Sequence, residues 1–234
     1  MNKGLTEYEK FKIIRPIVGG CEYDAYQRPI IRKTDIADID WNNIKVTNLK
    51  NASVNANNTN SLLLMFNYDK ELMRLWNDPL GKVCLWQSFA AVCSPDFSVY
   101  PSMNINDIRY NIYMSRWLGR TWQNYGCKVI PTVAWSLPNT YDVCFEGIEY
   151  GSVVAISTLG CHSNIGGFLM GFKQMMARIN PSLVIVYGDM IKGMFGTFIN
   201  FRYVDGFNRK HEQLSLFKEK IFTVMEGKYN GFKR

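Results

Sequence analysis

The sequence has few of the features that mark a metalloprotein, a membrane protein or a secreted protein. It contains only 2 histidines, and its 6 cysteines are scattered without a C-x-x-C pair, which argues against a structural zinc site. No apolar run approaches the roughly 18 residues needed to span a bilayer. Residues 1–15 mix charged and apolar side chains and lack the apolar centre of a signal peptide. We therefore expect a cytoplasmic protein with reduced cysteines, no metal and no membrane association.

The sequence also lacks the common catalytic and cofactor-binding motifs. No Gly-x-Gly-x-x-Gly follows an apolar run, and no phosphate-binding Walker loop, Gly-x-Ser-x-Gly elbow or His-Glu-x-x-His pair is present. The first absence weighs against a dinucleotide-binding sheet. We therefore expect no cofactor, and the sequence leaves open whether the protein is an enzyme.

What the chain does contain is enough apolar sequence to fold and an excess of positive charge. Of its 234 residues, 47% are hydrophobic, and 27 Lys and Arg against 20 Asp and Glu give a net charge of +7. This length predicts one domain or two small ones. A basic protein attracts polyanions, and nucleic acid is the usual cytosolic candidate.

The composition divides the chain into three parts. Residues 1–60 form an N-terminal segment that ends in an Asn-rich stretch, with eight Asn between residues 42 and 60, which is typical of an exposed loop. Residues 61–200 form the predicted core domain. Residues 201–234 form a basic tail with eight Lys or Arg against four Asp or Glu, and the pattern of residues 212–226 predicts an amphipathic helix within it.

Apolar strands alternate with helices throughout the predicted core. The predicted strands are residues 61–66, 89–94, 129–135, 153–157 and 183–187. One predicted helix begins at residue 69, and the other predicted helices span about 104–125, 140–146 and 164–179. Strands that are apolar throughout and alternate with helices indicate a parallel sheet covered on both faces. We expect an α/β fold of βα units, barrel-like and incomplete rather than a doubly wound sheet, because polar or aromatic residues follow nearly every strand.

Ligands of parallel α/β folds bind at the carboxyl ends of the strands, so the residues there are the candidate site. Asp96 follows the second predicted strand and is a candidate general base, although it could instead cap the following turn. His162 follows the fourth strand and is a candidate for proton transfer, although it has no visible partner. The predicted ligand pocket contains the polar and aromatic residues at the other strand ends: Trp135, Ser136, Ser157, Thr158 and Tyr187.

A second candidate surface combines arginines with aromatic rings. Arg109, Arg116 and Arg120 share one face of the helix over 104–125, next to a stripe of Tyr110, Tyr113 and Trp117. Guanidinium groups beside aromatic rings bind phosphates and stack on bases, although an amphipathic helix with a buried aromatic face gives the same pattern. The basic tail would add to this nucleic-acid-binding surface the residues Lys218, Lys220, Lys228, Lys233 and Arg234.

Several ordered motifs between residues 62 and 190 resemble one family. They are Ser94-Pro95-Asp96-Phe97-Ser98-Val99-Tyr100, Arg116-Trp117-Leu118-Gly119, residues 129–136 (VIPTVAWS), residues 151–160 (GSVVAISTLG) and Ile185-Val186-Tyr187-Gly188. Together they are similar to domain of unknown function 4417, a family of phage, prophage and plasmid-borne proteins. The resemblance implies a mobile genetic element as the context, and it supplies no activity and no catalytic residue.

Three functions from different classes follow from these features. The first is a phage or mobile-element protein that binds or acts on nucleic acid, DNA or RNA, in replication, maintenance or counter-defence. The second is a small-molecule enzyme with its pocket at the strand ends around Asp96. The third is an interaction protein that binds a host protein through its tail and exposed aromatic residues.

Overall fold

A computed structural model of the chain describes residues 6, 15–54, 58–202 and 221–227. The strands are β1 Lys45–Thr47, β2 Ser61–Leu63, β3 Ala91–Cys93, β4 Val129–Ile130, β5 Val153–Ser157, β6 Leu183–Tyr187, β7 Gly196–Phe201 and β8 Ile221–Val224. The α-helices are α1 Asp69–Asn77, α2 Val83–Trp86, α3 Ile105–Asn124, α4 Tyr141–Cys144 and α5 Ile165–Ile179. Short 3-10 turns precede α4 and α5, at Pro138–Thr140 and Cys161–Asn164.

The strands form two four-stranded sheets in a mixed α/β architecture. The first sheet has the order β1-β2-β3-β4 and is parallel throughout. In the second sheet, β5, β6 and β7 are parallel, and β8 pairs with β7 in the antiparallel direction. The sequence prediction of a mostly parallel α/β sheet is therefore confirmed.

Hydrogen bonds connect the two sheets at β4 and β5. The N–H of Val133 donates to the carbonyl of Ala155 over 2.8 Å, and the N–H of Ala155 donates to the carbonyl of Pro131 over 3.0 Å. One buried cluster contains inward side chains from strands of both sheets, including Leu62, Ala155 and Ile185. These contacts are consistent with the barrel-like arrangement, which itself stays a prediction.

The strand side chains alternate between this shared interior and the helices outside. In the second strand, Leu62 and Leu64 face the interior, whereas Leu63 and Met65 pack with Trp86 and other helical side chains. Every second residue of a strand points to the same face, so both sets must be apolar when both faces are covered. The outer layers of the two sheets form separate clusters, one with α1 and α3 and one with α5.

The long helix α3 lies within one residue of its predicted bounds because its ends carry clear signals. The side chain of Asn104 accepts a hydrogen bond of 2.9 Å from the N–H of Asn106, which caps the first turn. Gly126 follows the helix with φ of +83°, in the left-handed region that favours glycine. Between these ends, Leu118 and Trp122 are buried against the first sheet.

The structure differs from the sequence prediction in several elements. Strand β1 pairs with β2, so the predicted N-terminal segment contributes to the first sheet. The third predicted strand is shortened to Val129–Ile130 by Pro131, which cannot donate to a ladder. The helix predicted over 212–226 is wrong near its end, where residues 221–224 form β8. Residues 212–220 of the predicted helix lie outside the described residues. No helix in the described ranges is long and apolar enough to cross a membrane.

Candidate functional site

Asp96 lies at the carboxyl end of β3, where the ends of parallel strands share one edge of the sheet. Its backbone N–H donates to the carbonyl of Met65 over 3.2 Å, which places it beside the end of β2. No described residue forms a hydrogen bond or an ion pair with its carboxyl group, so this side chain does not cap the following turn. The side chain is partly exposed.

The surroundings of Asp96 favour the protonated form of its carboxyl group. Burial of much of the side chain is the largest cause, and the negative charge of Asp69 adds to it, so the pKa of Asp96 is raised to about 7. The positive charge of Arg116 acts in the opposite direction and is the smallest of the three effects. A carboxyl group with this pKa can accept or release a proton near neutral pH.

The neighbouring carboxylate of Asp69 is held in place by the loop after Asp96. Asp69 begins α1, and its Oδ1 accepts a hydrogen bond of 3.0 Å from the N–H of Ser98. This bond joins the helix that follows β2 to the loop that follows β3. Asp69 is therefore fixed as a nearby negative charge, while Asp96 remains without a partner among the described residues.

Two cysteines near Asp96 do not provide a thiolate. Burial raises the pKa of the Cys93 thiol and that of the Cys161 thiol, and the charge of Asp96 raises both further. Thiols with raised pKa values are poor nucleophiles at neutral pH. The electrostatic effect on Cys161 nevertheless shows that the loop after β5 lies near Asp96.

Tyr187, a predicted pocket residue, lies beside the aromatic ring of Phe66, in the segment that follows β2. Its ring stacks on that of Phe66 with centroids 5.3 Å apart and an angle of 3° between the planes. Both rings line a shallow depression at the ends of β1, β2 and β6, whose remaining walls are Val46, Thr47, Asn48 and Leu64. The depression lies on the strand-end edge that the sequence predicts.

The other predicted pocket residues have mainly structural contacts. Ser157 accepts a hydrogen bond of 3.2 Å from the N–H of Leu159, and Thr158 is fully buried with no partner for its hydroxyl in the described part of the chain. Trp135 packs against Phe168 with ring centroids 5.1 Å apart. The Oγ of Ser136 is also sealed from solvent without a partner among the described residues.

His162, the second predicted catalytic residue, lies on the surface. It is exposed in the 3-10 turn Cys161–Asn164, and it has no hydrogen bond or ion pair with a described residue. Nothing in this arrangement orients its imidazole toward Asp96. Its catalytic role stays a prediction.

The three arginines predicted to bind nucleic acid have different surroundings. Arg116 is fully buried, and its guanidinium donates to the carbonyls of Thr132, Cys144 and Glu146 over 2.9–3.1 Å. Arg120 is also buried and donates to the carbonyl of Gly20 over 2.9 Å. These two side chains are therefore not presented to a nucleic acid, because the helix face they share is covered by neighbouring loops.

Arg109 is the exposed member of that set. Its guanidinium lies 5.4 Å from the ring centroid of Tyr26, which is 42% exposed. The predicted aromatic stripe packs edge-on around Trp76, with Trp117 buried, Tyr113 partly buried and Tyr110 48% exposed. The five basic residues of the tail, Lys218, Lys220, Lys228, Lys233 and Arg234, lie outside the described residues.

Two residues of this edge, Phe66 and Asn67, were not among the predicted pocket residues. Phe66 is the last residue of the apolar run over 61–66, and its position at a strand end was the signal that could have identified it. Asn67 donates from Nδ2 to Glu71 over 2.9 Å, while its Oδ1 is sealed from solvent and has no described partner. Among the described residues, no group of three or more His, Cys, Asp or Glu could hold a metal ion.

Comparison with known proteins places the chain in a phage context. A family model described as a domain of unknown function, DUF4417, matches residues 22–205, a longer span than the motifs in the sequence indicated. The chain is similar to the Gene 1 protein of Mycobacterium phage L5, with 31% identity over 188 residues that cover 79% of this chain and 81% of that protein. The Gene 1 protein of Mycobacterium phage D29 is also 31% identical over 188 residues, which cover 68% of its length. No solved structure matches the chain.

Proposed function

The chain belongs to the DUF4417 family, a family of unknown function, and it is similar to mycobacteriophage Gene 1 proteins. We propose that it is an enzyme with an acid–base site at the strand ends. Asp96 is the proposed proton-transfer residue. The proposed ligand site is the edge where the ends of β2, β3 and β6 meet. Of the catalytic and pocket residues predicted from the sequence, Asp96 and Tyr187 belong to this proposed site.

The observation that carries the proposal is the unpaired state of the Asp96 carboxyl. A partly buried carboxyl group without a hydrogen bond or counterion is destabilising in a folded protein, since its charged form loses hydration without compensation. Such groups cluster at functional sites, where a bound ligand supplies the missing partner. The buried carboxylate of Asp24, by contrast, forms a 2.6 Å ion pair with Arg28.

The chemistry that this site supports is proton transfer. General acid–base catalysis is most efficient when the pKa of the group lies close to the working pH, and burial and Asp69 raise the pKa of Asp96 to about 7. The nearby thiols of Cys93 and Cys161 are held protonated, which disfavours a covalent thiol mechanism. The barrel-like arrangement of strands, if present, would place this edge at the position where barrel enzymes bind substrates.

The pKa of Asp96 can be measured directly by NMR. In protein labelled with ¹³C at the aspartate carboxyl carbons, the Asp96 signal is assigned from its loss in Asp96→Asn and followed from pH 3 to 9. We expect a midpoint near 7 for Asp96. A midpoint near 4 for Asp96 would overturn the proposed acid–base role.

Nucleic-acid binding is the second candidate function, and the charge distribution favours it. The net charge is +7, and residues 201–234 alone carry four more positive than negative charges. Within the described part of the chain, Arg109 beside Tyr26 offers an exposed guanidinium next to an aromatic ring. DNA or RNA would bind mainly through phosphate contacts, whose strength falls steeply with salt.

Fluorescence anisotropy with labelled single- and double-stranded oligonucleotides across a salt series tests this second function. We expect micromolar binding at low salt that weakens with salt and is lost when the five basic tail residues are changed to Gln. A matched control neutralises five exposed lysines elsewhere: Lys45, Lys50, Lys70, Lys82 and Lys192. Binding that is independent of salt, or that both variants lose equally, would contradict a role of the tail.

A host-protein partner remains the third function that the sequence predicts. It becomes the leading hypothesis if the pKa of Asp96 is ordinary and no oligonucleotide binds. Both experiments together therefore distinguish the three functions.

A further inference from the structure

Four aromatic rings of α1 and α3 form a cage around one guanidinium, on the outer side of the first sheet. Trp76 of α1 lies edge-on to three rings of α3, with centroids 5.6–6.0 Å apart, and these are Tyr110, Tyr113 and Trp117. The guanidinium of Arg15 lies over the Trp76 ring, with its Cζ 3.6 Å from the centroid of that ring and 5.2 Å from the centroid of Trp117. It also donates a hydrogen bond to the carbonyl of Trp76. The cage therefore holds a cation of this chain.

The cage has the physical properties of a guanidinium site. A flat guanidinium stacks on the electron-rich face of an indole, and the attraction grows where water is excluded. Trp76 and Trp117 are each 4% exposed, whereas Tyr110 is 48% exposed, so the cage is dry on the indole side and open to solvent at one wall. Burial lowers the pKa of Arg15, and the phenol groups of Tyr110 and Tyr113 act in the opposite direction, which places both of them near the guanidinium. The cage favours a flat cation over a neutral side chain.

The segment that carries this arginine lies along one face of α3. We refer to residues 15–20 as the strap. Three side chains of α3, at spacings of three and four residues, each donate to a strap carbonyl over 2.9–3.0 Å: Trp117 to Pro16, Arg120 to Gly20 and Asn124 to Gly19. The strap belongs to no strand or helix, so side chains of α3 bind its backbone as they would bind a peptide ligand.

The remainder of the strap has few contacts. Val18 is its buried apolar side chain, whereas Ile17 is 84% exposed. Gly20 has φ of +65°, and nothing lies within 4 Å of a Cβ built at Gly19 or Gly20. The strap is therefore held mainly by the arginine in the cage, by Val18 and by the three donors of α3. A segment with so little buried surface belongs to the parts of a fold that open most easily.

We propose that the cage and the donor face of α3 form a binding groove for an arginine-bearing peptide segment of a partner protein, and that the strap is a displaceable occupant of this groove. The strap is then an intramolecular competitor, because its attachment to the chain gives it a high effective concentration. A partner segment replaces it by presenting an arginine to the cage and backbone carbonyls to Trp117, Arg120 and Asn124. The groove does not involve Asp96, so the inference goes beyond the proposed acid–base function and is independent of it.

Peptide titrations of the full chain with an emptied cage test the groove. Arg15→Ala removes the resident guanidinium, and the probe is a synthetic peptide with the sequence of residues 15–20. The control peptide has citrulline in place of the arginine, which keeps the shape of the side chain without its charge. Indole N–H signals in ¹⁵N-labelled protein report binding, because the Trp117 indole donates to the strap. We expect Arg15→Ala to bind the arginine peptide about tenfold more tightly than the citrulline peptide, and about tenfold more tightly than wild type does.

A variant of the exposed wall connects this binding to the cage. In the Arg15→Ala background, Tyr110→Leu is expected to weaken binding of the arginine peptide about threefold. Tyr125→Leu is the matched control, because Tyr125 is 49% exposed at the end of the same helix and lies outside the cage.

The comparison of the two peptides decides the assignment. Equal binding of the arginine and citrulline peptides by Arg15→Ala, or binding of neither, would overturn the groove. Binding of the arginine peptide by wild type as tightly as by Arg15→Ala would overturn the role of the strap as a competitor. If Arg15→Ala fails to fold, the two peptides are compared on wild type at millimolar concentration, where a preference for arginine supports the groove and equal or absent binding overturns it.

Discussion

Replacement of Asp96 by Asn is expected to make the protein more stable at pH 8 but not at pH 4. The pKa of this carboxyl is raised in the folded state to about 7 from an ordinary value of 3.8, chiefly by burial and then by Asp69. Between these two pH values the folded protein keeps the proton while the unfolded chain releases it. Stability from this group is therefore fully present below about pH 4 and is lost as the pH rises toward 7.

The size of the effect follows from the same two values. A difference from 3.8 to about 7 corresponds to an upper limit of about 4 kcal/mol in the free energy of unfolding. Since the side chain is partly exposed, solvent screens the charged form, and we expect about 2 kcal/mol at pH 8. Asn has nearly the same shape and no charge, so the variant avoids this loss.

Urea denaturation of wild type and Asp96→Asn at pH 4, 6 and 8 measures the difference. The two proteins should unfold at the same urea concentration at pH 4 and diverge progressively at higher pH, with the variant more stable. Asp107→Asn is the control for the removal of a carboxylate, at an exposed position near the start of α3. A difference between wild type and Asp96→Asn that is constant across the three pH values would refute the assigned pKa and its cause.

Three further predictions concern packing and buried polar groups, each measured by urea denaturation at pH 7. Arg116→Met is expected to destabilise the protein by about 4 kcal/mol, because it leaves two buried carbonyls and one partly buried carbonyl without a donor; a loss below about 1 kcal/mol would contradict this. Gly171→Ala should cost about 2 kcal/mol, since its Cβ would overlap the ring of Trp135, whereas Gly166→Ala in the same helix meets open space and should be neutral or stabilising. Thr158→Val removes a buried hydroxyl that has no described partner and should stabilise the protein by about 1 kcal/mol, and a clear loss of stability would reveal a hydrogen bond of that hydroxyl.

The elements that sequence patterns predicted well are those whose burial is nearly complete. Strands β5 and β6 match the runs over 153–157 and 183–187, because a strand covered on both faces must be apolar at every position. The helix α3 was predicted with its ends because Asn104 and Gly126 act on the backbone within a few residues of the termini. Both signals are local, so the sequence alone contains them.

Three strands of the two sheets, β1, β7 and β8, were not predicted. The three residues of β1 are partly exposed and lie within the Asn-rich stretch over 42–60, and only their pairing with β2 makes them a strand. Strand β7 begins at Gly196 and β8 lies in the basic tail, where charge suggested a helix. Their formation depends on partners distant in sequence, which no local periodicity reveals.

The same limit applied to the candidate site. Helical spacing placed Arg116 on one face with Arg109, but spacing does not reveal that loops cover part of that face. Asp96 could be located at a strand end from the pattern of apolar residues, whereas its lack of a partner and the stacked rings beside it depend on how β2, β3 and β6 meet. The strand-end position of Asp96 was predictable, and its electrostatics were not.

The fixed guanidinium of Arg116 explains why the proton affinity of Asp96 stays high near a positive charge. All three hydrogen bonds of Arg116 are to backbone carbonyls, so the side chain is committed to the loops over 132–146 and does not form an ion pair with Asp96. Its charge acts on Asp96 only from a distance and is outweighed by burial and by Asp69. If Arg116 were free to swing toward Asp96, a direct ion pair would lower the pKa and leave a permanent carboxylate. The same buried arginine that is unavailable to a nucleic acid thus helps to keep Asp96 unpaired and able to exchange a proton with a ligand.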